Sequence, residues 1–428
     1  MMQAVLNALQ LPDVRRKLIF TFTILIIFRF IAHVPVPGVD LEQLRQLFQS
    51  NQLLGMLDLF SGGAMRNFSV ATMGVYPYIT ASIIMQLLIP VIPQLEAMQK
   101  EGGEQGRKRM AQYQHWLTVP LAAIQAFAQL QIFRSAGVLP NLSAEAILPT
   151  VAMIASMTAG TMLLVWLGEL ITENGIGNGI SVIIFGGIVA NLPQILGQSF
   201  VASDQFAGLL VFAVLGVITV FAIVVFQEAT RRIPVQYAKQ MRGSRLMRPA
   251  GATHIPLRVN SAGMIPLIFA MSIMIFPGYI SQWFATSETT WLATGAQFIG
   301  RVFDTTSPVY WILFFLLTVA FTFFYAMVIF QQQNLAENLQ KYGGFIPGIR
   351  PGKPTSDYLN RVLYRITWAG ALFLGIIAIL PFLVQQATTI QAVQLSSTGL
   401  LIVVGVVLDT MKQLEAQLLM RRYEGFIK

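Results

Sequence analysis

Ten stretches of this chain stay apolar for roughly twenty residues at a time, the length a helix needs to cross a bilayer. They run Leu18–Val34, Met73–Pro93, Trp116–Phe133, Ile147–Leu170, Gly179–Leu196, Phe206–Phe226, Ala262–Ala285, Val309–Phe330, Val362–Val384 and Leu395–Met411. A water-soluble core of this length has no room for so much continuous apolar surface. Hydrophobic residues fill 55% of the 428 positions and charged residues only 11%, against about 25% in ordinary soluble chains. Inside lipid every backbone N–H and C=O needs an internal partner, which a helix supplies within one segment. The expectation is an all-α, polytopic membrane protein of ten transmembrane helices. Arg15, Arg16 and Lys17 before the first stretch resemble the start of a signal peptide. No small-x-small cleavage pattern follows, and Pro35-Val36-Pro37-Gly38 does, so this stretch reads as an uncleaved span.

Charge gives the orientation. An even number of spans puts both termini on one side. Of the 28 basic residues, 23 lie in segments 15–17, 100–109, 231–258, 341–365 and 412–428, all on that side. Arg29, Arg45, Arg66, Arg134 and Arg301 fall on the other. Basic residues stay in the cytoplasm, so both termini are expected there. Two of the basic loops, Gln227–Asn260 and Gln331–Asn360, are about thirty residues long, more than topology alone requires. One carries Arg242 and Arg245 among its seven basic residues, and the other presents Arg350 within the turn-rich Phe345–Gly352. Such surfaces suit an anionic partner, RNA included, or acidic lipid headgroups.

No reactive constellation is visible. The chain has no cysteine, and His33, His115 and His254 stand in no metal-ligand spacing. There is no phosphate-binding loop of the Walker type, no zinc-protease motif and no pair of mid-span carboxylates. Arg29, Glu169 and Asp409 lie near span ends, where long side chains reach the headgroups cheaply. A secondary transporter with inverted repeats is the alternative reading, but it wants titratable groups near mid-depth. A membrane enzyme wants a catalytic set. Leu53–Val70 is odd: its apolar run is too short to span and leads into Ser61-Gly62-Gly63. It is either an amphipathic helix on the outer surface, slightly favoured by sequence alone, or a re-entrant segment buried in protein. Val75 and Ile79, like Ile180 and Ile184, are four apart and share a helix face, a pattern that in most membrane helices serves packing or lipid contact.

Longer motifs carry a resemblance. RFIAHVPVPGVD, DLFSGGAMRNFSV, GVYPYITASIIMQLL, GTMLLVWLGELITENGIGNGISVIIFGGI, RRIPVQYAK, NSAGMIPLIFA, NLQKYGGFIPGIRPG and LLIVVGVVLDT, in this order, resemble the SecY family of protein-conducting channels from the first span to the last. The resemblance implies two inverted, pseudo-symmetric halves of five helices. Residues 1–200 hold the first half, including a re-entrant plug at about 57–68. Residues 201–428 hold the second, including cytoplasmic loops at about 227–260 and 331–360. It implies an hourglass pore whose waist is a ring of Val75, Ile79, Ile180, Ile184, Ile268 and Ile402. The plug would comprise Leu57, Phe60, Ser61, Gly62, Gly63, Met65 and Phe68, and a lateral gate would include Thr80, Gln86, Asn260 and Phe276. Arg242, Arg245 and Arg350 would meet the ribosome, including its RNA, or the SecA motor ATPase. SecE and SecG are implied as companion subunits, and polypeptides bearing signal sequences as substrates released in part into membrane lipid. The implied location is the bacterial plasma (inner) membrane; no cofactor, metal or enzymatic reaction is implied. Two positions depart from the family pattern: Val75 stands where isoleucine is usual, and Gly243-Ser244-Arg245 where paired arginines are expected.

Overall fold

Apolar runs without interior charge make helices that satisfy their own backbones, and each of the ten expected spans falls on one. The computed structural model describes residues 11–36, 39, 41–50, 58, 61–135, 137–139, 147–202, 206–237, 253–284, 290–304, 307–387 and 396–424. In chain order the helices are α1 (Pro12–Ile31), α2 (Leu41–Ser50), α3 (Tyr76–Leu88), α4 (Pro93–Glu101), α5 (Gly103–Ser135), α6 (Ile147–Asn174), α7 (Gly179–Ala202) and α8 (Phe206–Glu228). After two strands come α9 (Ile265–Phe284), α10 (Thr290–Val302), α11 (Pro308–Gln333), α12 (Leu335–Lys341), α13 (Lys353–Ala387) and α14 (Ser396–Glu424). Among the described residues, α5, α6, α11 and α13 are each long and apolar enough to cross a membrane, and a bent α3–α4 pair makes a fifth candidate. The described parts of α7, α8 and α9 hold shorter apolar stretches.

The second expected span, Met73–Pro93, differs most from its sequence reading. Its helix starts only at Tyr76, after Val75 at φ −95° and ψ 9°, with Pro77 in the first turn. At the other end Pro90 and Pro93 stop it, and the chain turns by 103° into α4. Thirteen residues rise about 20 Å, short of the roughly 30 Å hydrocarbon layer. The preceding residues 62–75 run instead as turns, broken by an isolated bridge between Ser69 and Pro35.

Helices α1, α3, α5, α6 and α7 pack on one another, as do α8, α9, α11, α13 and α14. The two groups touch where α7 meets α14 and where α9 meets α3 and α5. One large apolar cluster fills the interior, from Phe28 on α1 through Ile184 on α7 to Ile402 on α14. The outer faces are apolar too: Phe22 and Phe30 on α1, Trp116 on α5 and Phe221 on α8 are largely exposed. Such a surface is at rest only in lipid.

The long basic loops are not wholly helical, and the strands they contribute add a small sheet to the expected all-α fold. β1 (Thr230–Tyr237) pairs antiparallel with β2 (Thr253–Arg258), from Thr230 opposite Arg258 to Val235 opposite Thr253. The two-residue β3 (Gly344–Phe345), from the second long loop, adds to the far end of β1. Pro234 is tolerated because β3 reaches only Gln236 and Tyr237, leaving that edge of β1 open at the proline. Ile233 and Val235, two apart, bury the same face of β1 against Leu257, Leu339, Ile346 and Leu359. The two loops are thus one small folded unit with its own core. Leu359 is fully buried there. Leu359→Ala should cost this unit about 3 kcal/mol, read as faster amide hydrogen exchange in 230–237 and 253–258 with α5 and α6 unchanged. Unchanged exchange in both strands would mean that Leu359 does not hold the loops together.

Candidate functional site

A cavity of about 240 Å³ lies between α7, α8, α9, α11 and α14. Its polar end carries Gln227, Arg258, Asp409 and Lys412, and its apolar end Ile184, Ile268 and Ile402. Charges at the polar end are paired, one closely and one loosely: Lys412 Nζ lies 2.6 Å from Glu228, and Arg258 lies 3.9 Å from Asp409. All four are partly exposed, so these pairs add little stability. One isoleucine each comes from α7, α9 and α14.

None of the six residues expected in the ring faces outward. Val75 and Ile402 are 1% exposed, Ile184 3%, and Ile79 and Ile268 8%. Ile180 is half-buried and packs on the same apolar cluster. The structure brings Ile184, Ile268 and Ile402 to one cavity wall; Val75, Ile79 and Ile180 do not line it. Ile180 leans on α6, where a methyl added at Gly168 would fall 2.6 Å from its Cδ1.

The odd Leu53–Val70 stretch is mostly buried where it is described, with Arg66, Asn67 and Val70 half-buried. Ser61, Met65 and Phe68 are at most 3% exposed, and Gly62 and Gly63 are buried with them. Leu57 and Phe60 lie outside the described residues. Gly62 and Gly63 take φ of +70° and +82°, conformations that favour glycine. A methyl on Gly62 would meet Gly187 Cα of α7 and the Phe28 ring of α1, each at 2.8 Å. Phe68, at φ +43°, drives its ring edge-on against Phe133 at 5.1 Å. The segment orders itself around Asp58, whose carboxylate pairs with Arg66 Nε at 2.7 Å and accepts the Arg66 N–H at 3.1 Å. A partnered carboxylate tolerates burial that an isolated one would not. The surface-helix reading is therefore wrong for the described part, because buried turns replace an exposed amphipathic face.

Of the seam residues, Thr80 donates to the Tyr76 carbonyl and Gln86 to Ser82 at 3.3 Å, both within α3. Asn260 donates to the Gly263 carbonyl at 3.0 Å and lines the cavity. Phe276 lies on α9, in the part whose side-chain positions are not described. The bond that joins α3 to α9 was missed in the sequence: Tyr76 Oη donates to the Ser272 carbonyl at 3.0 Å. A tyrosine opening a buried helix needs a partner for its hydroxyl, and that was the available signal. Arg350 is exposed, while its carbonyl accepts from Thr355 Oγ1 at 2.8 Å. Arg242 and Arg245 lie outside the described residues.

Helices sheathed in exposed apolar side chains, enclosing a half-polar cavity and a buried non-helical segment, define a multi-pass membrane protein. A family model described as SecY matches residues 69–411. Over its whole length the chain is 45% identical to the protein translocase subunit SecY of Halalkalibacterium halodurans, all of which is covered. It is 43% identical to that of Thermotoga maritima, with 100% of this chain and 98% of the relative covered. A solved protein-conducting channel superposes with a TM-score of 0.61 at 16% identity, covering 94% of this chain and 92% of that one. Sec61 from the canine ribosome–channel complex of the endoplasmic reticulum superposes with a TM-score of 0.58 at 16% identity, with the same coverage. At such identities the likeness concerns the fold. The chain belongs to the SecY family, and it is a protein-conducting channel, not an enzyme.

Because the chain has no cysteine, introduced pairs can be labelled cleanly. Leu87 on α3 and Ile273 on α9 are each 38% exposed and suit spin labels. Tyr76→Phe removes a hydrogen bond worth about 1 kcal/mol and should broaden the Leu87–Ile273 distance distribution towards longer values. An unaltered distribution would show that this bond does not hold α3 to α9.

Proposed function

We propose that the cavity is the cytoplasmic vestibule of the pore and that the pore closes on a collar of aliphatic side chains. The observation that carries this reading is the polarity of the cavity: charged and amide groups at one end, Ile184, Ile268 and Ile402 at the other. Val75, Ile79 and Ile180 complete the collar from the same apolar cluster. A polypeptide must pass while ions do not. Aliphatic groups hold no segment strongly, yield around any side chain and exclude water when the pore is empty. The segment about 57–68 is the plug, seated beside the collar. The lateral gate opens where α3 and α5 meet α9 and α11, with Thr80, Gln86, Asn260 and Phe276 along it. A segment of about twenty apolar residues leaves there for lipid, and a polar one does not.

In this reading the ten helices form two inverted halves, 1–200 and 201–428, in the bacterial plasma membrane, with both termini cytoplasmic. SecE and SecG accompany the chain. SecA or the ribosome docks on Arg242, Arg245 and Arg350, and supplies the driving force to signal-bearing substrates. The three-stranded sheet supports this docking, because it fuses both loops into one mount beneath an exposed Arg350. A ribosome-bound structural neighbour supports the ribosome as one partner.

Ile402→Asn or Ile268→Asn places an amide in the collar and should wet it. Resting ion conductance in planar bilayers should rise, and substrates with defective signal sequences should be exported more readily. Val75→Ile, apolar and larger by one methylene, should be nearly silent. Asparagine variants as ion-tight and as selective as the parent would remove the collar from the mechanism. Arg350→Glu should abolish translocation while membrane insertion stays normal; unimpaired translocation would refute the docking role.

A further inference from the structure

The C-terminal end of α1 carries a cation that points into the protein. The sequence places Arg29 near a span end, free to reach the headgroups. In the structure its Nη1 donates to the carbonyl of Gly62. The next residue is close as well, since a methyl on Gly63 would lie 3.6 Å from the same nitrogen and 2.9 Å from Asn191 Oδ1 of α7. Asp58, 1% exposed and paired with Arg66, adds Coulombic attraction for the Arg29 guanidinium. Three further bonds join this region to the chain after α1. Val36 N–H donates to the Phe68 carbonyl at 2.8 Å, Val70 N–H to Val34 at 3.0 Å, and Asn67 Nδ2 to Ala32 at 3.5 Å.

These contacts divide into a root and a tip. The main-chain bonds between 34–36 and 68–70 fix where the segment leaves α1 and re-enters the bundle. They can persist while the part before them swings. Among the described residues, Arg29 alone joins α1 to the Gly62–Gly63 turn by a charge-assisted bond, a class stronger than neutral pairs. Its acceptor is a main-chain carbonyl and not a carboxylate, so parting the two strands no buried anion. A released arginine has a long apolar stem and can carry its charge to the headgroups. The bond is thus firm in one state and cheap to leave.

We infer that Arg29 is the latch of the plug: it positions the Gly62–Gly63 turn in the idle channel and lets go when the plug moves. This rests on the reading of about 57–68 as a plug. Loss of the latch should raise the displaced population roughly tenfold, the ratio tied to a charge-assisted hydrogen bond.

The test uses the full chain with its companion subunits, reconstituted in planar bilayers, and four forms: parent, Arg29→Met, deletion of 57–68, and both together. Arg29→Lys, which keeps the charge and a donor, serves as the conservative control. The latch predicts that Arg29→Met raises resting conductance roughly tenfold, that Arg29→Lys restores much of the seal, and that preprotein export continues in both. It also predicts that Arg29→Met adds nothing once 57–68 is deleted. If the deletion leaks and Arg29→Met does not, the plug stands and the latch is overturned. If Arg29→Met leaks as much again in the deletion background, the arginine acts elsewhere and the latch is again overturned. If neither change leaks, the plug reading itself falls, and the latch with it.

Discussion

A chain inside a bilayer can abandon the helix only where protein surrounds it, because lipid offers no partner to a free N–H or C=O. Everything central to this molecule depends on how residues 62–75 meet that constraint. They run as turns at the heart of the bundle, and most are buried. Their polar groups are answered locally: Gly63 N–H by the Asp58 carbonyl, Ser69 N–H by Ala64, Thr72 N–H by Ser69, and Met65 N–H by Ser61 Oγ. The seat is also fitted. Gly62 sits where any side chain would strike Gly187 and Phe28, and α7 presents glycine at that contact. A segment so enclosed cannot lie on the membrane surface, yet no continuous helix fixes it in place.

The cavity follows from the same economy of apolar surface. At the ends of α8, β2 and α14, Gln227, Arg258, Asp409 and Lys412 make one end of the space polar. Deeper in, branched aliphatic residues take over, and Ile402 is all but sealed from solvent. Tyr325, its ring 5.8 Å from that of Phe269, also lines the cavity, but among the described residues no acidic or basic side chain stands beside the three isoleucines. That polarity gradient suits passage of a chain better than capture of a small ligand, which would want a few fixed polar contacts in the dry part.

Much of this was legible in the sequence. The apolar runs announced themselves because lipid demands about twenty apolar residues in a row, and each of them carries a helix. Ile184, Ile268 and Ile402 are another matter. Isoleucine at helical spacing looks the same facing lipid, a neighbour or a pore, and only long motif resemblance singled these residues out. The break of α3 was written in Pro77, Pro90 and Pro93, but an apolar count runs straight across prolines. The sheet was hidden for a different reason. β1 and β3 are over a hundred residues apart, β3 is two residues long, and Gly-Pro-rich loops suggest turns. Pairing at such range is a tertiary fact that no local pattern carries. Arg29 was misjudged because snorkelling is the usual fate of a span-end arginine; nothing local said that a carbonyl waited inside.

The short α3 also explains why its first residues are so consequential. Val75 caps the helix, is buried in the central apolar cluster, and gives its carbonyl to Ile79 N–H at 3.1 Å. The next residue, Tyr76, reaches across to Ser272 on α9. The residue before, Gly74, holds φ of +56° and begins the run of turns that leads back to Gly62. Three consecutive positions thus join the proposed collar, the contact between α3 and α9, and the root of the non-helical segment. A rigid helix start cannot shift one of them alone: any movement of α3 away from α9 carries Val75 with it and pulls on the chain at Gly74. In the proposed cycle this places seam opening, collar widening and plug release under one helix end, so that no separate signal is needed to keep them in step.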